Sequence, residues 1–394
     1  MKHKMLNKIK SFLKNHEADA WVIYDFASTN PAFIKLFGKA FTTRKCFVII
    51  DSNATNYIIC HTIDSFALSN LTFSENFDFL YYNTWEQLDD ILKSTLSKYD
   101  TIMMEISENG LLPRASHVDY GTVCSIKRFV KNVVSSADMF QSITATFDGI
   151  SLESHIKAAK QIDEIKDAAF SMISNEIKKH GFVSEYKIQQ YICDEFNKNG
   201  MITDSPPIVA IGKNAKSPHY EPSETNFSYI KNNDLVLIDL WAKYNNDYSV
   251  FADITWMGFV GEKVPDHIQK AFNVLKTAID KAIAFLEENL PKRTVLGYEV
   301  DDVCNAYITE QGYGPYILHR TGHSISIGNE DHGVGVNIDN FETHDTRQII
   351  DNIAFSIEPG IYTEEFGIRE EINIYIKDKK PLIFTKRQES ILLL

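Results

Sequence analysis

The spacing of apolar residues changes character near the middle of the chain. Residues 4–16 place apolar side chains at helical intervals, and 20–24 is a short apolar run that stops at Asp25. Residues 45–50 and 56–60 are apolar or alternating runs around Asp51-Ser52-Asn53, the pattern of a hairpin. A helix is expected over 85–97 and another strand over 101–105. Strands interleaved with helices predict a small α/β domain over 1–150. From 155 to 180 the chain becomes charged and periodic, and Gly181 marks a stop. A second helix over 184–199 has Ser184 as its cap and Gly200 at its end. Strands are expected at 207–211 and 235–257, a long helix from Pro265 to about 290, another helix over 300–311, and strand and loop from 316 onward. This order predicts an α+β domain over 151–394, built from two similar halves.

The stretch 235–257 is the most informative. Leu235 to Ile238 is an apolar run that delivers Asp239; Asn245-Asn246-Asp247 turns the chain; a second β-rich run delivers Asp253 and Thr255. A carboxylate inside an apolar strand must be paired, protonated or bound to a metal, because burying it bare costs several kcal/mol. Lys243 is the sole base in the stretch and sits at the edge of the turn, away from both acids in sequence.

Composition narrows the function class. Of 394 residues 44% are hydrophobic, enough for a large core and a second domain. The net charge is −13, with no basic run, which argues against a nucleic-acid partner. The amino-terminal residues lack the apolar core of a signal peptide, and the longest apolar runs are too short to span a bilayer. The expectation is a cytoplasmic protein without a membrane partner. Cys46, Cys60, Cys124, Cys193 and Cys304 are scattered and form no CxxC, so they read as ordinary buried thiols of a reducing compartment.

Four later stretches place polar residues in apolar surroundings: Ser217-Pro218-His219-Tyr220, Leu318-His319-Arg320-Thr321-Gly322-His323, Phe355-Ser356-Ile357-Glu358-Pro359-Gly360-Ile361-Tyr362, and Gly367-Ile368-Arg369-Glu370-Glu371-Ile372. Taken singly, each has a plain explanation: a satisfied histidine, a turn acid, a strand-edge ion pair. Together with Asp239 and Asp253 they supply four carboxylates and several imidazoles, a donor set suited to a pair of divalent ions such as Mn²⁺, Fe²⁺, Co²⁺ or Zn²⁺. Strand periodicity puts Arg369 and Glu371, rather than Glu370, on one face, and a similar spacing puts His319 and His323 on one side of an extended segment.

In these local contexts the order Asp239, Asp253, His323, Glu358, Glu371 resembles the pita-bread metallopeptidases of family M24, which include prolidase and aminopeptidase P. The segment from Pro207 to Gly212, with Asn214 and Pro218-His219-Tyr220, is similar to the segment carrying that family's substrate histidine. The resemblance covers 155–394, and the first 150 residues look like a creatinase-type amino-terminal domain. It implies a pita-bread fold, two αβ halves around a central antiparallel sheet, following the smaller α/β domain. It also implies two divalent ions, manganese first, with cobalt, iron or zinc as alternatives. Asp239 would chelate one ion, Asp253 and Glu371 would bridge both, and His323 and Glu358 would hold the second. Glu358 would also move the proton of the attacking water, a hydroxide bridging the metals. His219 would stabilise charge on the scissile carbonyl, and Arg369 would bind a substrate carboxylate or orient the bridging acids. The implied reaction is hydrolysis of Xaa-Pro bonds in a dipeptide or short peptide, by a homodimer.

The chain departs from that pattern in two places. Asp239 and Asp253 are 14 positions apart, longer than the family's usual interval, so the turn carries an insertion and Asp247 competes with Asp253 for the second role. The Asp-Ile-Thr context favours Asp253. After His323 the chain runs Ser324-Ile325-Ser326-Ile327-Gly328, and His332, the candidate second substrate histidine, lies nine positions on, further than usual. Two rival readings keep the fold: a creatinase-like enzyme cleaving another small C–N bond, and a non-catalytic interaction module. A filled set of five ligand positions argues against both.

Overall fold

The protein's computed structural model describes residues 2–40, 42–71 and 74–394. Two units emerge, Met1–Thr144 and Ala145–Leu394. In the first, six strands lie in the order Asp78–Tyr82, Tyr57–His61, Lys45–Asp51, Ala20–Phe26, Thr101–Met104, Asn132–Ser135. Ala20–Phe26 pairs antiparallel with Lys45–Asp51 and parallel with Thr101–Met104. Its side chains split by parity. Trp21 and Ile23 pack into one apolar cluster, while Ala20 and Val22 pack into another. Both faces are covered, which is why the strand reads as a continuous apolar run. The hairpin turn is tied by Asp51, whose Oδ1 accepts the Asn53 and Ala54 N–H groups at 2.8 Å each. Thr84 and Gln87 form a capping box at the start of the helix Trp85–Leu96.

The second unit begins with the helix Gly149–His180, capped by Asp148 and closed by Gly181 in the left-handed region (φ 81°). The helix Glu185–Lys198 follows, with the Ser184 hydroxyl accepting the Lys187 N–H. The helices Asp266–Asn289 and Gly297–Glu310 form the second pair. Between the pairs, the strand Leu235–Tyr244 runs antiparallel to Ala252–Phe259. Val236, Ile238, Leu240, Ile254 and Trp256 pack with the first helix pair. Leu235, Leu237, Met257 and Phe259 pack with the second pair and with Ala354–Ile357 and Ile372–Lys377. By parity, Asp239, Asp253 and Thr255 belong to that second face. No helix among the described residues is long and apolar enough to cross a membrane.

The long interval between the two aspartates is absorbed outside their ladder. The pairing with Ala252–Phe259 ends at Ala242↔Ala252, while Lys243 and Tyr244 pair instead with Ile202 and Met201. Lys243 is next to last in its strand and so does lie at the edge of the turn. It is a buried strand residue whose ammonium donates to the Gly328 carbonyl at 2.6 Å. The expectation of uniformly buried cysteines needs correction. Cys46, Cys60 and Cys304 are buried, Cys193 is half-buried and Cys124 is exposed. The short helix Tyr120–Ile126 buries Thr122 and Ile126, which leaves Cys124 on its outer side.

Candidate metal centre

The ladder itself assembles the first part of the site. Asp239 lies opposite Thr255, and Trp241 lies opposite Asp253. Residues directly opposite in an antiparallel pair share a face, so both aspartates and Thr255 point the same way. The register thus brings together two acids that are distant along the chain. Asp247 is exposed in the turn and belongs to no such grouping.

A second sheet supplies the partners. Ala354–Ile357 pairs with Ile372–Lys377, and Gly360–Tyr362 pairs with Gly367–Arg369. The two sheets are stitched together: the Asp253 N–H donates to Asn373 Oδ1 at 2.9 Å, and the Glu371 N–H donates to the Thr255 carbonyl at 3.2 Å. Arg369 engages each of its three side-chain nitrogens within this seam. Its Nη2 donates to Asp239 Oδ2, its Nη1 to the Tyr362 hydroxyl at 2.9 Å, and its Nε to Thr255 Oγ1 at 3.1 Å. Thr255 Oγ1 in turn donates to Glu371 Oε2 at 2.9 Å. A guanidinium and one hydroxyl thereby fix the orientation of two carboxylates from different sheets. Glu370 lies apart from this group; burial pushes its carboxyl up to about 8, against the opposing charges of Arg387 and Lys276.

His323 is delivered by an irregular segment that needs glycine beside it. A Cβ on Gly322 would lie 2.0 Å from the Ser356 carbonyl oxygen, so no other residue allows that approach. Ser356 then ties the segment to Glu358. It accepts the His323 N–H at 2.9 Å and donates to Glu358 Oε1 at 3.1 Å. His323 Nδ1 faces the Ser324 carbonyl at 3.2 Å. A carbonyl only accepts, so Nδ1 carries the hydrogen and Nε2 turns its lone pair inward. That nitrogen lies 3.5 Å from Asp253, 3.6 Å from Asp331 and 3.4 Å from Glu358.

Asp331 received no role in the sequence reading. It is buried, with its side chain directed at His323. His332 stacks on the His323 ring, with centroids 3.8 Å apart. The bridge Ile325↔His332 folds this loop back onto the segment carrying His323. The adjacency of Asp331 to His332 was the available signal, but the fold-back that makes it matter is not a local property. Tyr362 is the other omission, since its hydroxyl accepts from Arg369 and lies 2.7 Å from His319 Nε2. His319 and His323 therefore meet different partners. His219 lies exposed on the turn after Ile208–Ile211, and no hydrogen bond or ion pair joins it to this cluster. Its loop nonetheless abuts the site hairpin, because a Cβ on Gly367 would lie 1.9 Å from the Ala215 carbonyl oxygen.

The donor set fits divalent cations. Asp253 Oδ1, Asp331 Oδ1 and Glu371 Oε1 are buried and have no hydrogen-bond partner. One imidazole cannot satisfy several acceptor-only carboxylates. Ligand atoms of Asp253, His323 and Glu371 lie within 4.8 Å of one another, as do those of His323, Asp331 and His332. Burial, reinforced by neighbouring acids, pushes the Asp253 and Glu371 carboxyls well above their usual range. Burial also raises Asp239, against the pull of Arg369. Burial lowers His319 to about 4, leaving it neutral beside Tyr362.

Comparison with known proteins agrees with this chemistry. The metallopeptidase family M24 matches residues 155–378. The chain is 30% identical over 242 residues to an Xaa-Pro dipeptidase of Lactobacillus delbrueckii subsp. lactis, covering 60% of this chain and 59% of that one. It spans about 60% of the length of this relative and of a putative Xaa-Pro aminopeptidase of Mycoplasma pneumoniae, to which it is 32% identical over 235 residues, 58% of this chain. Among solved structures, dipeptidase PepE from Mycobacterium ulcerans superimposes with a TM-score of 0.69 at 18% identity, covering 100% of this chain and 97% of that one. An X-Pro aminopeptidase from Thermotoga maritima superimposes with a TM-score of 0.58 at 24% identity, covering 100% and 99%. These likenesses show the fold, a creatinase-type amino-terminal α/β domain followed by a pita-bread domain. With more than half of its length matched and a site of converging carboxylates and histidine, the chain belongs to the metal-dependent hydrolases of metallopeptidase family M24.

Proposed function

We propose that this metallopeptidase is a cytoplasmic exopeptidase that hydrolyses Xaa-Pro bonds, with two divalent ions, manganese first, held by Asp239, Asp253, His323, Glu358 and Glu371. The observation that carries the reading is the convergence of three acids with the His323 nitrogen: Asp253 and Glu371, buried and each with one carboxylate oxygen left without a donor, and the half-buried Glu358. The proline preference rests on the relatives, one of which is named an Xaa-Pro dipeptidase. Bound there, such ions lower the pKa of a water toward neutrality and polarise the scissile carbonyl.

The remaining steps fall to this chain's side chains. Glu358 is partly exposed and held by Ser356, so it is placed to take a proton from the attacking water. It then returns that proton to the proline nitrogen, which cannot leave as an amide anion. Arg369 spends its donors on Asp239, Tyr362 and Thr255, which favours an orienting role over binding a substrate carboxylate. His332 is half-exposed above the His323 ring, where it reaches substrate entering from solvent. His219 belongs to the loop beside Gly367 and would close on the carbonyl oxygen once substrate fills the space between. The active species is a homodimer, and sedimentation at micromolar concentration showing monomer alone would refute that part.

The test is hydrolysis of an Xaa-Pro dipeptide, an Xaa-Pro tripeptide and a Met-Ala peptide, with Mn²⁺ and with chelator. Metal-dependent cleavage of the dipeptide alone makes it a dipeptidase, and cleavage of the tripeptide makes it an aminopeptidase. If neither proline peptide is cut although two ions bind, the substrate is another amide and the proline reading is wrong.

A further inference from the structure

Asp331 stands apart from other buried aspartates at loops and loop edges. Asp25 accepts the N–H groups of Ser28, Thr29 and Asn30, Asp339 accepts those of Phe341, Glu342 and Thr343, and Asp345 is paired with Arg347. Those side chains fold their own loops. Asp331 is only 3% exposed, yet its side chain accepts no backbone N–H, and its Oδ1 has no hydrogen-bond partner. Its place is fixed through the backbone instead. The Asp331 N–H donates to Asp204 Oδ2 at 2.9 Å, and the Asp331 carbonyl accepts from the Ser326 N–H at 3.0 Å. Asp204 also accepts the Trp241 indole N–H at 2.6 Å, which links the loop to the strand bearing Asp239. The protein thus holds the main chain of Asp331 firmly and turns its carboxylate toward His323, with Asp253 and His332 beside it.

The separations are informative. His323 Nε2 lies 3.5 Å from Asp253, 3.4 Å from Glu358 and 3.6 Å from Asp331. Charge-assisted hydrogen bonds are shorter, about 2.7–2.9 Å. Two ligand atoms each about 2.1 Å from one ion, and about 110° apart, lie about 3.4 Å from each other. Asp331 keeps the same distance from the imidazole nitrogen as do the two acids already assigned to the centre.

We propose that Asp331 is an additional protein ligand on the His323 side of the centre, supplying a further hard oxygen beyond the five residues named above. This rests on the dinuclear reading of that site. A further carboxylate on one ion tightens its retention, favours oxygen-preferring ions such as Mn²⁺, and occupies a coordination position on that side.

The experiment is titration of metal-stripped wild-type, Asp331→Asn and Asp331→Glu proteins with Co²⁺, followed by calorimetry and by the visible spectrum of the bound ion. Wild type is expected to take up two ions. In Asp331→Asn one of the two is expected to bind at least about tenfold more weakly, with an altered spectrum. The metal-free Asp331→Asn protein is expected to melt no lower than wild type, because a crowded acid has been neutralised, while its gain in melting temperature on adding Co²⁺ shrinks. A merely structural aspartate would lower the metal-free melting temperature and leave the spectrum alone. Asp331→Glu keeps the charge but moves the oxygen, so it should retain both ions with a shifted spectrum, and this arm remains decisive if Asp331→Asn does not fold. Wild-type affinities and an unchanged spectrum in a folded variant overturn the proposal and leave the dinuclear reading standing. Failure of the wild type to bind Co²⁺ overturns both.

Discussion

Glu185 and Glu371 are both buried carboxylates of the second unit, and they live in opposite surroundings. Glu185 accepts the N–H groups of Ile211 and Ser228, the Tyr220 hydroxyl and the Asn214 amide, at 2.6–3.1 Å. Glu371 accepts the Thr255 hydroxyl on one oxygen and has nothing on the other. The first is saturated by neutral donors and anchors a loop. The second is held in position and left short of donors, the condition of a ligand. Between these two acids the difference is the number of donors provided together with the company kept: Glu370 is also buried with neither oxygen hydrogen-bonded, but it has no place beside His323, so a shortage of donors marks a candidate ligand only where other donor groups converge.

The comparison can be broken by substitution. The largest effect expected is at the unsaturated acids: Asp253→Ala should reduce kcat/KM on an Xaa-Pro peptide by about 10⁴-fold, about 5 kcal/mol of transition-state stabilisation, while Asp247→Ala stays near wild type. The reverse outcome would mean that the turn, not the strand, carries the second acid. Next comes the saturated acid. Glu185→Ala strands several buried donors and should cost about 3–5 kcal/mol in a denaturant melt. The metal-free Glu371→Gln protein should lose little stability or none. If both variants destabilise alike, the donor count is not the distinguishing property. Arg369→Lys cannot reproduce the three-way fork and should lower kcat by about 10²-fold, with weaker metal binding and little change in fold. A normal kcat with a raised KM would instead assign Arg369 to the substrate carboxylate.

The smallest effect tests the rule in the first unit. Glu105 is buried and accepts from Trp21 Nε1 at 2.5 Å, Asn30 Nδ2 at 2.8 Å and Ser136 Oγ at 3.0 Å. Burial nevertheless pushes its carboxyl up to about 7. A folded pKa above the unfolded value of 4.5 means that its stabilising contribution is complete below that value and fades as the pH climbs to about 7. The melting temperature of metal-free protein should therefore fall by a few degrees over that window, and Glu105→Gln should flatten this component. No change in slope would show that the three donors satisfy the carboxylate completely.

Much of the fold was legible because it is written in short-range periodicity. The helix ending at Gly181, the cap at Ser184 and the apolar strands around Asp239 and Asp253 each depend on contacts a few residues apart. Placing both aspartates on one face required the ladder register, with Trp241 opposite Asp253, which periodicity alone does not supply. The site itself depends on contacts across more than a hundred positions, such as Thr255 with Glu371 and Arg369 with Asp239. Those distances follow from how two sheets pack, and no local pattern encodes them. The sequence alone therefore determined the elements, the family and the pool of candidate donors. Only the tertiary structure decided that Arg369 donates to Asp239, Tyr362 and Thr255, that His219 stands exposed, and that Asp331 joins the buried cluster. Each of these turns on which side chains meet after the chain folds back, and that is set by the packing of the whole unit.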